Sequence, residues 1–271
     1  MDQKILISKI DSAIRFLLYL LIFWLPYSSA VVETCVVFSS LLWLSKRMVI
    51  YCSAAGPADV KIKFSVNKLI RVLTPSPSPL SQPIAFFLII CLVSILTSSS
   101  PLRALSGLMT KTFEWFTVYF LILEVIKERR HVFICIGIFM FTSLATSGDG
   151  IIQFHLIHRD IFNGHRIEPG AGATAGFKTP NDFGGFLTFV LPLSLVLIFS
   201  NRLAHARGIM ILCFLLMLWS LFVSYSRGSI LANMMGMSLS LFFVRRKWLL
   251  PFLGGLLILI ICFYFLITSD I

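Results

Sequence analysis

Gly208 to Val244 is a run of 37 residues that carries a single charge, Arg227. As one continuous helix it would be about 55 Å long at 1.5 Å per residue. That is far more than the roughly 30 Å of hydrocarbon in a bilayer. The run must therefore fold back on itself, and Ser224-Tyr225-Ser226-Arg227-Gly228-Ser229 is where it can turn. The same reasoning divides Ile14 to Leu44 at Pro26-Tyr27-Ser28-Ser29, since proline supplies no N–H to a helix interior.

Composition extends this reading to the whole chain. Of the 271 residues, 58% are hydrophobic and only 13% are charged, against about 45–50% and about 25% in soluble domains. This excludes a soluble enzyme, a disordered chain and a small disulfide scaffold. The expected class is all-α, a polytopic integral membrane bundle. Nine apolar segments are predicted as spans, at about 13–28, 30–45, 84–99, 112–126, 132–147, 183–199, 208–224, 229–244 and 249–267. The whole of 1–271 reads as a single bundle. The first segment lacks a small-residue cleavage site and is expected to be retained. The six cysteines are scattered without a CxxC pair, so they read as small core residues, not as disulfides or metal ligands.

A net charge of +11 would suggest a nucleic-acid partner in a soluble protein. In a membrane protein it reports orientation and contact with anionic lipid, so no nucleic acid is expected. With the N-terminus in the cytoplasm, 17 of the 23 Lys and Arg residues fall on inside segments and 6 on outside ones, which favours that orientation. Residues 46–83 then form a basic cytoplasmic loop, ending in the extended Thr74-Pro75-Ser76-Pro77-Ser78-Pro79 linker. Residues 148–182 form the longest outside segment.

That outside segment holds His155, His158, Arg159, Asp160, His165, Arg166, Glu168 and Lys178. Long loops between spans are usually functional or disordered. The glycines of Gly170-Ala171-Gly172-Ala173-Thr174-Ala175-Gly176 permit an anion-binding nest of backbone amides, or simply a flexible linker. The Lys-Ser/Thr ending of a nucleotide P-loop is missing. His155 and His158 share a helical face, but no third or fourth ligand accompanies them, so neither metal nor cofactor is expected. Arg227 lies in an outside turn wrapped by serines. It reads either as an interfacial arginine with its head in water or as a fork aimed at phosphate or carboxylate. Glu124 is expected to pair locally with Lys127, and Glu33 and Glu114 to lie near outside helix ends.

Taken together, these residues resemble a known family. Gly164-His165-Arg166-Ile167-Glu168-Pro169 followed by Gly176-Phe177-Lys178-Thr179-Pro180-Asn181-Asp182-Phe183-Gly184-Gly185-Phe186 is similar to the R…G-x-F-x-N-P-N-D-x-G-G-Y signature of the O-antigen ligase/polymerase superfamily. Ser224-Tyr225-Ser226-Arg227-Gly228-Ser229 resembles that family's T-x-S-R-G-A motif, and Gly150-Ile151-Ile152-Gln153 its G-x-x-Q. Thr179 replaces the family's usual Asn. The match covers residues 150–230, with the hydropathy pattern extending along the chain.

The resemblance implies a glycosyltransferase of the bacterial inner membrane. It would transfer glycan from undecaprenyl pyrophosphate to an acceptor, lipid A core or a growing polysaccharide, on the periplasmic face. Arg166 and Arg227 would then be catalytic, stabilising the departing pyrophosphate. Lys178, Asn181, Asp182, Ser226 and Gly228 would bind substrate. The family's second long periplasmic loop, which carries an important histidine, and its last spans have no counterpart here, so the chain is expected to be the N-terminal part of such an architecture. Two other classes fit the hydropathy: a transporter or flippase of lipid-linked saccharides, and an inactive truncated remnant.

Overall fold

A computed structural model describes residues 3–53, 78–164, 166–168, 170–200, 205–248, 250–251 and 253–255. Most of the expected linker at 74–79, most of the expected ninth span and His165 lie outside the described residues. Among those described, the chain is helical without a strand; its one β feature is an isolated antiparallel bridge between Arg159 and Arg166. It divides into two units, 1–136 and 137–271.

The first unit contains α1 (Gln3–Trp24), α2 (Ser29–Ser53), α3 (Ser81–Leu96), α4 (Pro101–Gly107), a π-helical turn (Leu108–Thr112) and α5 (Phe113–Val125). The α1–α2 break falls at the predicted proline, where the Tyr27 and Ser28 amides donate to the Trp24 carbonyl at 3.0 and 3.1 Å. Helix α2 continues to Ser53, so residues 46–53, expected in the cytoplasmic loop, are helical. The core takes Ile14, Leu18 and Leu21 from α1, Val32, Cys35 and Val36 from α2, and Val118, Leu121 and Val125 from α5. Spacings of three and four align these residues on one face of each helix.

Both ends of this unit are tied by charge. Lys46 Nζ donates to Asp11 Oδ1 at 2.6 Å and to Glu124 Oε1 at 2.9 Å, while Arg47 donates to Glu124 Oε2 at 2.6 Å. Trp43 Nε1 adds a bond to the same Glu124 oxygen at 2.7 Å, and its ring lies 5.0 Å under the Arg47 guanidinium carbon. The expected Glu124–Lys127 pair is thus replaced by a network across three helices. A carboxylate this deeply buried needs cations that also desolvate, and the buried Lys46 meets that requirement. At the opposite end of α2, Lys111 donates to Glu33 at 2.7 Å on the surface. The ends of α1, α2 and α5 that the charge count places on one side therefore lie together.

The second unit comprises most of α6 (Arg129–Ile152), a π-helical turn (Gln153–Ile157), α7 (Pro180–Ile198), α8 (Arg207–Val223) and α9 (Arg227–Arg245), followed by a 3₁₀ turn (Arg246–Trp248). The predicted fold-back occurs as expected between Val223 and Arg227. Helical structure runs to Ile157, so the irregular part of the 148–182 segment is 158–179. Thr179 caps α7: its hydroxyl accepts from the Asp182 amide at 3.1 Å and donates to Asp182 Oδ2 at 2.9 Å, with Pro180 in the first helical turn. Thr is among the favoured N-cap residues, and here it starts α7.

Small residues bring these helices close. A Cβ on Gly184 would lie 2.7–2.8 Å from atoms of Ser226 and Ser229, and one on Gly236 would meet Pro192 at 3.1 Å. Thr142, Ser143, Thr146 and Ser147 form a buried hydroxyl stripe on α6, and Ser220 Oγ donates to the Ser147 carbonyl at 2.9 Å. Small and hydroxyl-bearing contacts are characteristic of helix packing within lipid.

Among the described residues, four helices are long and apolar enough to cross a membrane: Ser29–Cys52, Arg129–Ile157, Pro180–Ile198 and Arg227–Arg245. Ser81–Leu96 and Arg207–Val223 are apolar but shorter. Helix α3 has no buried residue although almost every side chain is apolar. A surface of that kind is suited to hydrocarbon, not water.

Candidate functional site at the loop end of the second unit

Four pieces of chain meet where α6 ends and α9 begins: the π turn after α6, the 158–167 hairpin, the glycine-rich loop and the Ser224–Ser226 turn. Gln153, fully buried, links the first to the third. Its Oε1 accepts from the Thr174 and Ala175 amides, both at 2.9 Å, and its Nε2 donates to Thr174 Oγ1 at 3.0 Å. A primary amide suits this job because it is both donor and acceptor in one plane.

The glycine-rich loop also docks on the fold-back. The Ala173 amide donates to the Val223 carbonyl at 2.8 Å. A Cβ on Gly172 would stand 2.1 Å from the Ser224 carbonyl oxygen, so only glycine allows that approach. The amides of Ala171 and Phe177 are used within the loop, donating to Glu168 and Thr174 carbonyls at 2.9 Å each. The nest expected from the glycine spacing is therefore corrected at these positions. The amides of Ala171, Ala173, Thr174, Ala175 and Phe177 hold the loop in place and are not offered to an anion.

Two buried acids order the hairpin. Asp149 Oδ1 accepts from the Ile161 amide at 2.8 Å. Asp160 Oδ1 accepts from the amides of Asn163 and Gly164, closing the turn, and Asn163 Nδ2 donates to the Gly176 carbonyl at 2.6 Å. The bridge Arg159–Arg166 and an Ile167 amide bond to the His158 carbonyl at 3.0 Å then align the two arms.

Among the described residues, the three non-glycine positions with positive φ all lie in these segments: His158 (55°), Ala175 (46°) and Tyr225 (52°). Such conformations cost about 1–3 kcal/mol each and cluster at ligand sites. Two of the three, His158 and Tyr225, line one hollow of about 470 Å³ together with Phe154, Ile167, Glu168, Gly170 and Ala171. The Phe154 and Tyr225 rings meet edge to face at 5.5 Å.

The residues expected to do chemistry distribute unevenly around this hollow. Arg166 and Arg227 are both exposed, one residue from Ile167 and two from Tyr225 of the lining respectively. Neither has an acidic partner among the described residues. Lys178 and Asn181 are exposed beside the start of α7, and Asp182 is committed to the helix cap. Ser226 is buried and donates to Ser229 Oγ at 2.7 Å, so it shapes the turn that presents Arg227. Gly228 is exposed with open space where a side chain would go. His155 is occupied away from His158: its Nε2 accepts from Trp219 Nε1 at 3.2 Å and the two rings stack.

Sequence reasoning did not single out Tyr225, Phe154 or Glu168 as site residues. A positive φ at Tyr225 and a wall shared by segments some 70 residues apart leave no local signature. The chain matches no family model, no curated protein and no solved structure.

Proposed function

We propose that this protein is a membrane glycosyltransferase of the O-antigen ligase/polymerase type. It transfers glycan from an undecaprenyl-pyrophosphate donor to a hydroxyl of lipid A core or a growing polysaccharide, on the periplasmic face of the bacterial inner membrane. One observation carries the reading. Gly150, Gln153, Gly184 and Ser226, scattered over the stretch that bears the family resemblance, all pack one end of one unit. That end leaves two arginines in solvent beside a single hollow.

In the transfer the acceptor oxygen bonds to the anomeric carbon and gives its proton to solvent water, while the bond from that carbon to the phosphate oxygen breaks and its electron pair leaves with the pyrophosphate. Negative charge grows on the leaving pyrophosphate. Guanidinium groups bind phosphate through two parallel N–H donors, so Arg166 and Arg227 lower the barrier by holding that charge. The closed amide network behind them keeps the loop from relaxing as charge develops. Lys178 and Asn181 add donors at the start of α7.

The test is glycan transfer by the protein in lipid nanodiscs, followed as release of undecaprenyl pyrophosphate. Arg166→Ala and Arg227→Ala are expected each to lower turnover by at least about a hundredfold, the loss typical when a donor to developing negative charge is removed. Turnover at the wild-type rate in both variants rejects the assignment. A reporter fusion that places the Ser224–Ser229 turn in the cytoplasm rejects it as well.

A further inference from the structure

We infer that the hollow between Tyr225 and Glu168 is a subsite for the sugar joined to the pyrophosphate, separate from the arginines that take the phosphates. The inference rests on the function proposed above and gives Glu168 and Tyr225 roles that the family resemblance does not assign them.

The lining is the wrong chemistry for an anion. Its charged side chain is Glu168, a carboxylate that repels phosphate, and both arginines lie outside the lining. It suits a neutral, hydroxyl-rich ring. Glu168 is exposed, and its carboxylate has no hydrogen-bond partner among the described residues. Its two oxygens can accept from adjacent sugar hydroxyls. His158, likewise exposed, also lines the hollow, and an imidazole can donate to or accept from a hydroxyl. Tyr225 is 41% exposed and, with Phe154 packed edge to face against it in the same lining, offers an aromatic wall for the apolar C–H face of a pyranose. An apolar wall with a few placed polar groups is the usual make-up of a small-ligand site, and about 470 Å³ falls within the roughly 300–1,000 Å³ such sites span.

The backbone gives an independent reason. His158 and Tyr225 stand on opposite segments, and both hold φ values that L-residues rarely adopt. The surrounding bonds over-determine both: Ile167 holds the His158 carbonyl, and the Tyr225 amide donates to the Phe222 carbonyl at 3.0 Å. Both are left-handed residues that close a helix, His158 after the π turn and Tyr225 just past α8, so two helix ends fix opposite walls of the hollow. Tyr225 also precedes Arg227 by two residues, and Ile167 follows Arg166, so both arginines are close in the chain to the walls of the hollow.

The experiment uses the full chain in nanodiscs and two probes: undecaprenyl pyrophosphate, and the same lipid bearing its glycan. Binding of each is measured for wild type, Glu168→Gln, Tyr225→Ala, Tyr225→Phe and Arg227→Ala. The wild type is expected to bind the glycosylated lipid more tightly. Glu168→Gln and Tyr225→Ala should each weaken the glycosylated probe by about tenfold, the worth of one hydrogen bond to a charged group, and leave the bare lipid unchanged. Tyr225→Phe keeps the aromatic wall and should bind both probes like wild type. Arg227→Ala should weaken both. Equal loss for both probes in Glu168→Gln, or no loss in either Glu168→Gln or Tyr225→Ala, overturns the sugar subsite while leaving the transferase reading intact. A wild type that binds neither probe overturns both.

Discussion

The two units solve the same problem, charged side chains near the ends of apolar helices, in opposite ways. In the first unit Lys46 and Arg47 enter the protein at the α1–α2–α5 end and are answered by acids: Lys46 by Asp11 and Glu124, Arg47 by Glu124. In the second unit the buried acids Asp149 and Asp160 accept backbone amides, and Arg166 and Arg227 stay in solvent. The contrast separates charge used to hold helices together from charge left available to a ligand. A matched, desolvated cation has already spent its interactions on the fold, whereas an exposed one beside a hollow has not.

Removing single residues from each side tests that contrast, and the largest loss of stability is expected in the first unit. Glu124→Ala leaves Lys46 and Arg47 buried without their shared carboxylate. It should destabilise the protein by about 3–5 kcal/mol, read as a lower midpoint of thermal unfolding in detergent. Little change would mean that the network is wet and contributes nothing. Next comes Gly172→Ala, whose Cβ cannot coexist with the Ser224 carbonyl. About 1–3 kcal/mol of strain is expected, and protease cleavage within 158–179 should rise as the loop lifts. A loop as resistant as wild type would show that its docking on the fold-back is dispensable.

Gln153→Ala strips partners from the Thr174 and Ala175 amides, at about 1–3 kcal/mol for a buried group left unsatisfied. Water entering the gap would reduce this, so hydrogen exchange at those two amides is the sharper measurement, and unchanged protection would refute the clamp. Arg227→Ala sits at the other extreme. Its stability should stay within about 0.5 kcal/mol of wild type even as turnover collapses, and a large loss of stability would move Arg227 into the structural class. The smallest effect is expected for Lys111→Met at the exposed pair. The hydrogen bond to Glu33 raises the Lys111 pKa above its ordinary value. Its contribution is therefore full below the ordinary lysine pKa and lost only as pH climbs through the raised one. Wild-type unfolding should show no dependence on this pair between pH 6 and 9, and the variant should match it there.

Much of the helical layout was legible from residue order. The fold-backs near Pro26 and Ser224 follow from length against bilayer thickness. Each of the first eight expected spans coincides with a helix, although among the described residues four helices have the length and hydropathy to cross. The start of α7 could be read from Thr179-Pro180-Asn181-Asp182, because capping is local. The candidate site was legible only in part. Arg166 and Arg227 stand out as charges against an apolar background. The glycine run left an anion nest and a flexible linker equally open, and only the folded loop shows that five of its amides are spent on the protein.

What the sequence determined alone is whatever a short window can carry: helical class, the places where a run too long for the bilayer must turn, and a helix cap made within four residues. Tertiary structure decided which partners those windows meet. Glu124 chose Lys46 and Arg47, 78 and 77 residues away, over the neighbouring Lys127. Gln153 chose amides 21 and 22 residues on, and Tyr225 became the wall of a hollow through a turn that no local rule prescribes. The physical reason is that burial sets the worth of a hydrogen bond or an ion pair. Burial belongs to the packed chain and not to any segment of it.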